Sequence, residues 1–190
     1  MELLREYHRS VGELIARHGG TLEHFAGDGI MVFFNDPLPL EQHELQAIRF
    51  SLAAQERFRE LAELWHKRGV ELGLGIGVTS GYAALGRIGF EGRYEYGAVG
   101  PATSLASRLS SEAKPGQTLI SQRVHAAVED DVRAESIGEL TLKGFGRPVP
   151  AHEVRGLREK PGRVTICPLP ETALSGPRSS SSHRGNAQRF

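Results

Sequence analysis

Two short apolar runs on either side of an aspartate–glycine step most strongly limit how this chain can fold. The runs cover residues 21–25 and 30–34, and the residues between them are Ala26-Gly27-Asp28-Gly29. An Asp-Gly step between apolar runs is a strong β-hairpin signal, because these residues tolerate the positive φ angles of a tight turn. The sequence therefore predicts an antiparallel hairpin with Asp28 at its tip.

A glycine-rich run over residues 71–78 predicts an unusual strand. Apolar residues alternate there with glycines: Leu72, Gly73, Leu74, Gly75, Ile76, Gly77 and Val78. A period of two is typical of a strand with one apolar face, and here the other face is bare. Glycine weakens a strand, so we expect another backbone or a ligand to approach this face closely.

The remaining pattern predicts an α+β domain with a mainly antiparallel sheet, because helices and strands mix without strict alternation. Helices are predicted over residues 3–18, 41–68, 101–113 and 122–128, and further strands over residues 83–88, 94–99, 118–121, 137–142 and 151–154. We assign residues 1–156 to this domain. Residues 157–190 carry six Lys or Arg against two Asp or Glu and contain four Pro and five Ser. This composition predicts a disordered basic tail.

Composition excludes several classes of protein. The 190 residues have no net formal charge, so no general attraction to nucleic acid is expected. The single cysteine, Cys167, allows no intrachain disulfide. We expect a cytoplasmic chain, since it has no apolar run long enough for a membrane segment and no secretory signal.

Several nucleotide-binding and catalytic motifs are also absent from the sequence. It has no G-x-x-x-x-G-K-[ST] phosphate loop and no G-x-S-x-G elbow. The eight histidines and one cysteine show no zinc-site spacing. The glycines at 73, 75 and 77 lie within a strand, whereas a dinucleotide fingerprint lies in a strand-to-helix turn.

Four segments in order give the chain a resemblance to class III adenylyl and guanylyl cyclases. These segments are Phe25-Ala26-Gly27-Asp28 with the strand that follows, residues 89–100, Leu105-Ala106-Ser107-Arg108-Leu109, and Leu140-Thr141-Leu142-Lys143-Gly144-Phe145. The resemblance implies a ferredoxin-like nucleotide cyclase fold that pairs head to tail as a homodimer. It also implies a site for a nucleoside triphosphate and two Mg²⁺ or Mn²⁺ ions, with ATP favoured over GTP.

The resemblance gives roles to three residues of the reaction centre. Asp28 corresponds to the second of the family's two metal-binding aspartates, although the local sequence by itself favours a turn residue. Arg108 corresponds to the arginine that stabilises the transition state, and otherwise is a surface arginine. Ser104, one helical turn earlier, stands where the family usually has asparagine. Serine has a shorter side chain and one donor where asparagine has two.

Three further residues correspond to substrate-binding positions. His24 stands in place of the family's base-reading lysine, and is either a base reader or an ordinary strand histidine. Gly97 stands where the family has an aspartate or threonine partner for that lysine. Lys143 corresponds to the lysine that grips the triphosphate, and otherwise is an exposed lysine.

The family's first strand, with its first metal-binding aspartate, has no counterpart in this sequence, which opens on the predicted first helix. An active adenylyl cyclase would need that carboxylate from an upstream segment, a partner chain or Asp36. A second hypothesis is a degenerate cyclase-like module that dimerises or binds nucleotide without turnover. A third is a truncated product with an unrelated tail, for which exposed strand edges predict poor solubility.

Overall fold

The computed structural model describes residues 2–159, and its helices and strands follow the predicted order. The helices are α1 (Glu2–Arg17), α2 (His43–His66), α3 (Pro101–Glu112) and α4 (Gln122–Val128). The strands are β1 (Gly20–Ala26), β2 (Gly29–Phe34), β3 (Ile76–Val78), β4 (Ala84–Phe90), β5 (Arg93–Val99), β6 (Thr118–Ser121), β7 (Val132–Leu140) and β8 (Val149–Leu157). Residues 160–190, which include most of the predicted disordered tail, lie outside the described residues.

The strands form three sheets, and the α+β, mainly antiparallel prediction is confirmed. β1 and β2 form one antiparallel hairpin, and β4 and β5 form another. The largest sheet has the order β3-β6-β8-β7. Only the β3–β6 pair is parallel among the strands of residues 2–159.

Two predicted strands differ from those observed by five residues at their start. Residues 71–75 are not part of a strand, because β3 pairs with β6 only from Ile76 to Val78. β7 begins at Val132, five residues before the predicted start. It carries two register shifts against β8, and each shift breaks the side-chain alternation that sequence periodicity detects.

Three apolar clusters hold the domain together. One joins α1 to α2 through side chains such as Val11, Leu61 and Trp65, and β2 packs against it. The second joins α2 to α4 around Ile48, Ile120 and Val124. The third lies beneath α3 and contains Leu109, Leu119, Leu142 and Ala151.

A cavity of about 360 Å³ separates β2 from β3. Residues of β2, β3, α2 and α3 line it, and its surface includes Phe33, Ile76, Val78 and Ala106. Within residues 2–159, β2 pairs only with β1 and β3 only with β6, so the edges of both strands that face the cavity lack a strand partner.

Candidate active site

Asp28 lies at the tip of the β1–β2 hairpin, as predicted. The preceding Gly27 has φ of 68°, which a glycine adopts without steric cost, and Asp28 is exposed. The hairpin packs against α1, where the rings of His8 and Phe25 stack with centroids 4.0 Å apart. Burial, followed by the charge of Asp28, raises the pKa of Tyr7 on α1 to about 12. The hairpin therefore presents one carboxylate to solvent beside α1.

His24 lies on β1 of the same hairpin, four residues before Asp28. Its side chain is 46% exposed, and its Nδ1 atom lies 3.7 Å from Oε2 of Glu23. The imidazole is thus accessible to a ligand, and it has a carboxylate beside it.

Gly97 is buried on β5, where it pairs with Gly86 of β4. The β4–β5 hairpin is joined to the β1–β2 hairpin by two hydrogen bonds to carboxylates. The Ala98 backbone N–H donates to Oε1 of Glu23 at 2.7 Å, and the Tyr96 hydroxyl donates to Oδ1 of Asp36 at 2.5 Å. These bonds bring the strand of Gly97 next to the strand of His24.

Ser104 and Arg108 lie four residues apart on the exposed face of α3. The opposite face packs against β3 very closely: a Cβ atom at Gly77 would lie 2.4 Å from the Ala106 carbonyl oxygen. The predicted close approach to the glycine-rich run is therefore confirmed, and the approaching group is helix backbone. Leu109, with 0% exposure, anchors the buried face of α3.

Lys143 is exposed in the connection between β7 and β8. It lies within a turn closed by the Phe145 N–H, which donates to the Leu142 carbonyl at 3.1 Å. Leu142 packs in the same buried cluster as Leu109 of α3. The segments that carry Lys143 and Arg108 are thus anchored in the same buried cluster.

The predicted residues therefore fall into two groups. His24, Asp28 and Gly97 belong to the two hairpins, while Ser104 and Arg108 lie on α3 and Lys143 lies in the connection between β7 and β8. In the part of the chain from residue 2 to residue 159, no hydrogen bond or ion pair joins Asp28 to Arg108 or Lys143.

Asp28 alone is an incomplete ligand set for a pair of divalent ions. Residues 2–159 contain no cluster of three or more His, Cys, Asp or Glu side chains that could hold a metal ion. Asp36 does not complete the set, because it follows the far end of β2, a strand of six residues and therefore about 20 Å long. One carboxylate fits Mg²⁺ or Mn²⁺ only if other oxygen ligands are added.

Glu23, which is central to the geometry of the hairpins, is not among the residues that the sequence pattern singles out. Glu23 is the extra residue of a β-bulge, since the register moves from Leu22–Val32 to His24–Met31. A bulge is not visible in residue periodicity. The only sequence signal was a carboxylate next to the candidate base reader.

Comparison with known proteins identifies the class of domain. The crystal structure of the adenylyl cyclase CyaB from P. aeruginosa superposes with a TM-score of 0.78 at 30% identity, covering 85% of this chain and 84% of that one. The guanylyl cyclase Cya2 gives 0.76 at 32% identity, covering 83% and 81%. The fold is therefore that of a nucleotide cyclase catalytic domain of the ferredoxin-like type, as the resemblance implied.

The family model of the adenylate and guanylate cyclase catalytic domain matches residues 1–155. The chain belongs to this family. It is also 31% identical over 158 residues to adenylate cyclase 1 of Rhizobium meliloti, covering 82% of this chain and 24% of that protein. The chain thus spans about a quarter of the length of the curated relatives that it matches. No helix of residues 2–159 has the length and hydropathy needed to span a bilayer.

Proposed function

We propose that this chain supplies the catalytic groups of an adenylyl cyclase, which converts ATP to cyclic AMP and pyrophosphate. The observation that carries the proposal is the placement of Asp28 at an exposed hairpin tip and of Ser104 and Arg108 on an exposed helix face, within a cyclase fold. All three side chains are free to meet a ligand that approaches from solvent.

In the proposed reaction the ribose 3′-hydroxyl oxygen bonds to the α-phosphorus and loses its proton. The bond from the α-phosphorus to the bridging oxygen breaks, and pyrophosphate leaves. Arg108 stabilises the negative charge that gathers on the phosphorus oxygens, and Lys143 holds the triphosphate as a mobile point charge. Ser104 orients the ribose through its hydroxyl group.

Divalent metal ions would supply further charge stabilisation at the phosphates. Asp28 would hold them from this chain, and a second carboxylate must come from elsewhere. The cavity between β2 and β3 supports an added strand as its source, because both flanking strand edges lack partners within residues 2–159 and its lining is largely apolar. A strand there would pair with both edges, which removes an aggregation hazard.

The exposed apolar surface of the β4–β5 hairpin supports a homodimer. Phe90 is 70% exposed, Val99 is 60% exposed and Ile88 is 44% exposed, and the strand register places these three side chains on one face of the hairpin. An apolar surface of this kind marks a protein interface. Since β5 leads directly into α3, a second copy seated on this surface would lie beside Ser104 and Arg108. In a head-to-tail pair, Asp28 of each copy would meet Arg108 of the other.

A mass-spectrometric assay for cyclic AMP and cyclic GMP tests the proposal. The chain is incubated with Mn²⁺ and either ATP or GTP, beside Asp28→Ala and a control, Asp130→Ala, in which an exposed aspartate distant in sequence is removed. We expect cyclic AMP from the unaltered chain and the control, and none from Asp28→Ala. Absence of product from a soluble dimer of the unaltered chain would contradict turnover by this chain.

Mixing two inactive variants tests whether the site is shared between copies. In a head-to-tail dimer of Asp28→Ala with Arg108→Ala, one of the two sites keeps both residues. Random pairing would therefore restore about a quarter of the unaltered activity. If both residues of a site come from one copy, the mixture would remain inactive.

A second candidate function is nucleotide binding without turnover. Three features favour this alternative: within residues 2–159 no three or more His, Cys, Asp or Glu side chains form a metal-holding group, residue 104 is serine, and residue 97 is glycine. It predicts that ATP binds and that no cyclic product forms. Equilibrium dialysis with ATP, run on the same samples as the product assay, separates the two functions.

A further inference from the structure

Glu23 is a carboxylate in an unusual position. It is the extra residue of the β1 bulge, and bulges redirect side chains, often next to active sites. Its side chain is only 9% exposed. A charged group that is so buried needs hydrogen-bond donors or a counter-charge.

The hydrogen-bond donors around the Glu23 carboxylate satisfy only some of its acceptor positions. The Ala98 N–H donates to Oε1 at 2.7 Å, and within residues 2–159 this is the only hydrogen bond that the Glu23 carboxylate accepts. The other oxygen, Oε2, lies 3.7 Å from Nδ1 of His24. An ionised carboxylate has about four acceptor positions, so Oε2 remains able to accept a hydrogen bond from a ligand.

Glu23 and Gly97 form a matched pair. A Cβ atom at residue 97 would lie 2.8 Å from Oε1 of Glu23 and 2.9 Å from Cδ1 of Ile88. The carboxylate thus occupies the space in which a side chain at residue 97 would begin. Gly86 of β4 pairs with Gly97, and a Cβ atom at Gly86 would meet nothing within 4 Å. The hairpin face that carries both glycines therefore has free space beside Glu23.

We propose that Glu23 determines the purine specificity of this chain: its carboxylate replaces the side chain that Gly97 lacks and accepts a hydrogen bond from the exocyclic amino group of adenine. His24, beside it on β1, contacts the adjacent ring nitrogen. This inference rests on the proposed function, because it assigns the purine to the surface formed by His24 and Gly97.

The geometry favours adenine over guanine. Because Oε1 is engaged by the Ala98 N–H, Oε2 is the acceptor left for the base. Adenine carries its amino donor on carbon 6 of the ring. Guanine carries a carbonyl oxygen on the same carbon, and that oxygen would face the carboxylate as a second acceptor. Two acceptors in contact leave both unsatisfied, which weakens binding.

The test compares ATP and GTP across variants of the full chain with Mn²⁺. In Glu23→Gln, the amide oxygen still accepts the hydrogen bond from the Ala98 N–H, and the amide nitrogen becomes a donor toward the base. We expect the GTP-to-ATP ratio of kcat/KM to rise by roughly 10- to 100-fold, as for one reversed hydrogen bond to a charged group. Glu13→Gln, which alters an exposed carboxylate on α1, should leave the ratio unchanged. A ratio in Glu23→Gln equal to that of Glu13→Gln would overturn the proposal.

A second set of variants tests the pairing without requiring turnover. Gly97→Thr should lower the thermal midpoint, since its Cβ would overlap the Glu23 carboxylate. In a chain that also carries Glu23→Ala, Gly97→Thr should lower the thermal midpoint by less, because the overlap with the carboxylate is gone. Purely additive shifts would refute the pairing of Glu23 with Gly97.

The two proposals fail in different ways. If the unaltered chain forms no cyclic product, the proposed function fails for this chain, and the purine preference is then read from equilibrium dialysis of ATP and GTP. If product forms but Glu23→Gln leaves the purine ratio unchanged, the role of Glu23 fails while the cyclase proposal stands.

Discussion

Replacing Gly77 with alanine is expected to displace α3 and with it Arg108. The new Cβ atom would lie 2.4 Å from both the Ala106 carbonyl oxygen and the Ser110 backbone nitrogen. Ordinary contact begins at 3.4 Å, so α3 must move by about 1 Å. Both atoms belong to helix backbone, which cannot rotate away as a side chain can.

A displacement of this size has two measurable consequences. A shift of about 1 Å in a positioning element can lower turnover by roughly 100-fold. Overpacking costs about 1–3 kcal/mol, which for a chain of this length lowers the thermal midpoint by roughly 2–12 °C. We expect Gly77→Ala to remain folded and to show both losses.

The assay is thermal unfolding followed by circular dichroism, together with cyclic nucleotide formation by the same sample. Gly12→Ala is the matched control, because it makes the same chemical change in α1 where a Cβ atom meets nothing within 4 Å. The control should be neutral or slightly stabilising, since alanine favours helix over glycine. If Gly77→Ala matches Gly12→Ala in thermal midpoint, the close packing of α3 on β3 is refuted, whatever the turnover.

Three further predictions concern association, packing and pH. Phe90→Ser should weaken self-association, measured by light scattering, at least tenfold. The thermal midpoint should stay unchanged, because Phe90 is mostly exposed in the single chain. An unchanged dimer would exclude this face as the interface. Leu109→Ala should lower the free energy of unfolding in urea by about 2–5 kcal/mol, since the side chain is fully buried beneath α3, and a loss below 1 kcal/mol would contradict that burial. Burial, and then the neighbouring His125, lower the pKa of His152 below its ordinary value, so stability present at neutral pH should be lost as the pH falls below about 6.5. His152→Phe should flatten that dependence in thermal unfolding between pH 7 and 5, and an unaltered slope would exclude His152 as a source.

The sequence predicted the α+β class, the order of all twelve elements and the exposed position of Asp28, because those features follow from local patterns. An Asp-Gly step defines a hairpin, and apolar residues at three- and four-residue spacing define α1 and α2. The length of the strand around Ile76 could not be predicted in this way. Its limits depend on pairing with β6, a contact made across more than forty residues of sequence.

The candidate site shows the same division between local and long-range information. The place of Arg108 on an exposed helix face follows from helical spacing, but the anchoring of its helix and of the Lys143 segment in one buried cluster depends on Leu109 and Leu142, which are distant in sequence. Glu23 could not be singled out, because its position depends on a bulge and on a donor from a strand 75 residues later.

The two halves of the candidate site are positioned by different physical interactions, and they should respond differently to substitution. Apolar packing and close backbone contact position α3, so Arg108 should keep its place when β5 is disturbed. β5 is positioned by hydrogen bonds that two carboxylates accept. Glu23 accepts from the Ala98 N–H. Asp36 accepts from the Tyr96 hydroxyl. Tyr96→Phe removes the second bond and should therefore loosen β5 without displacing α3. The expected kinetic result is a rise in KM for the nucleotide with kcat unchanged, and a fall in kcat at unchanged KM would contradict this separation.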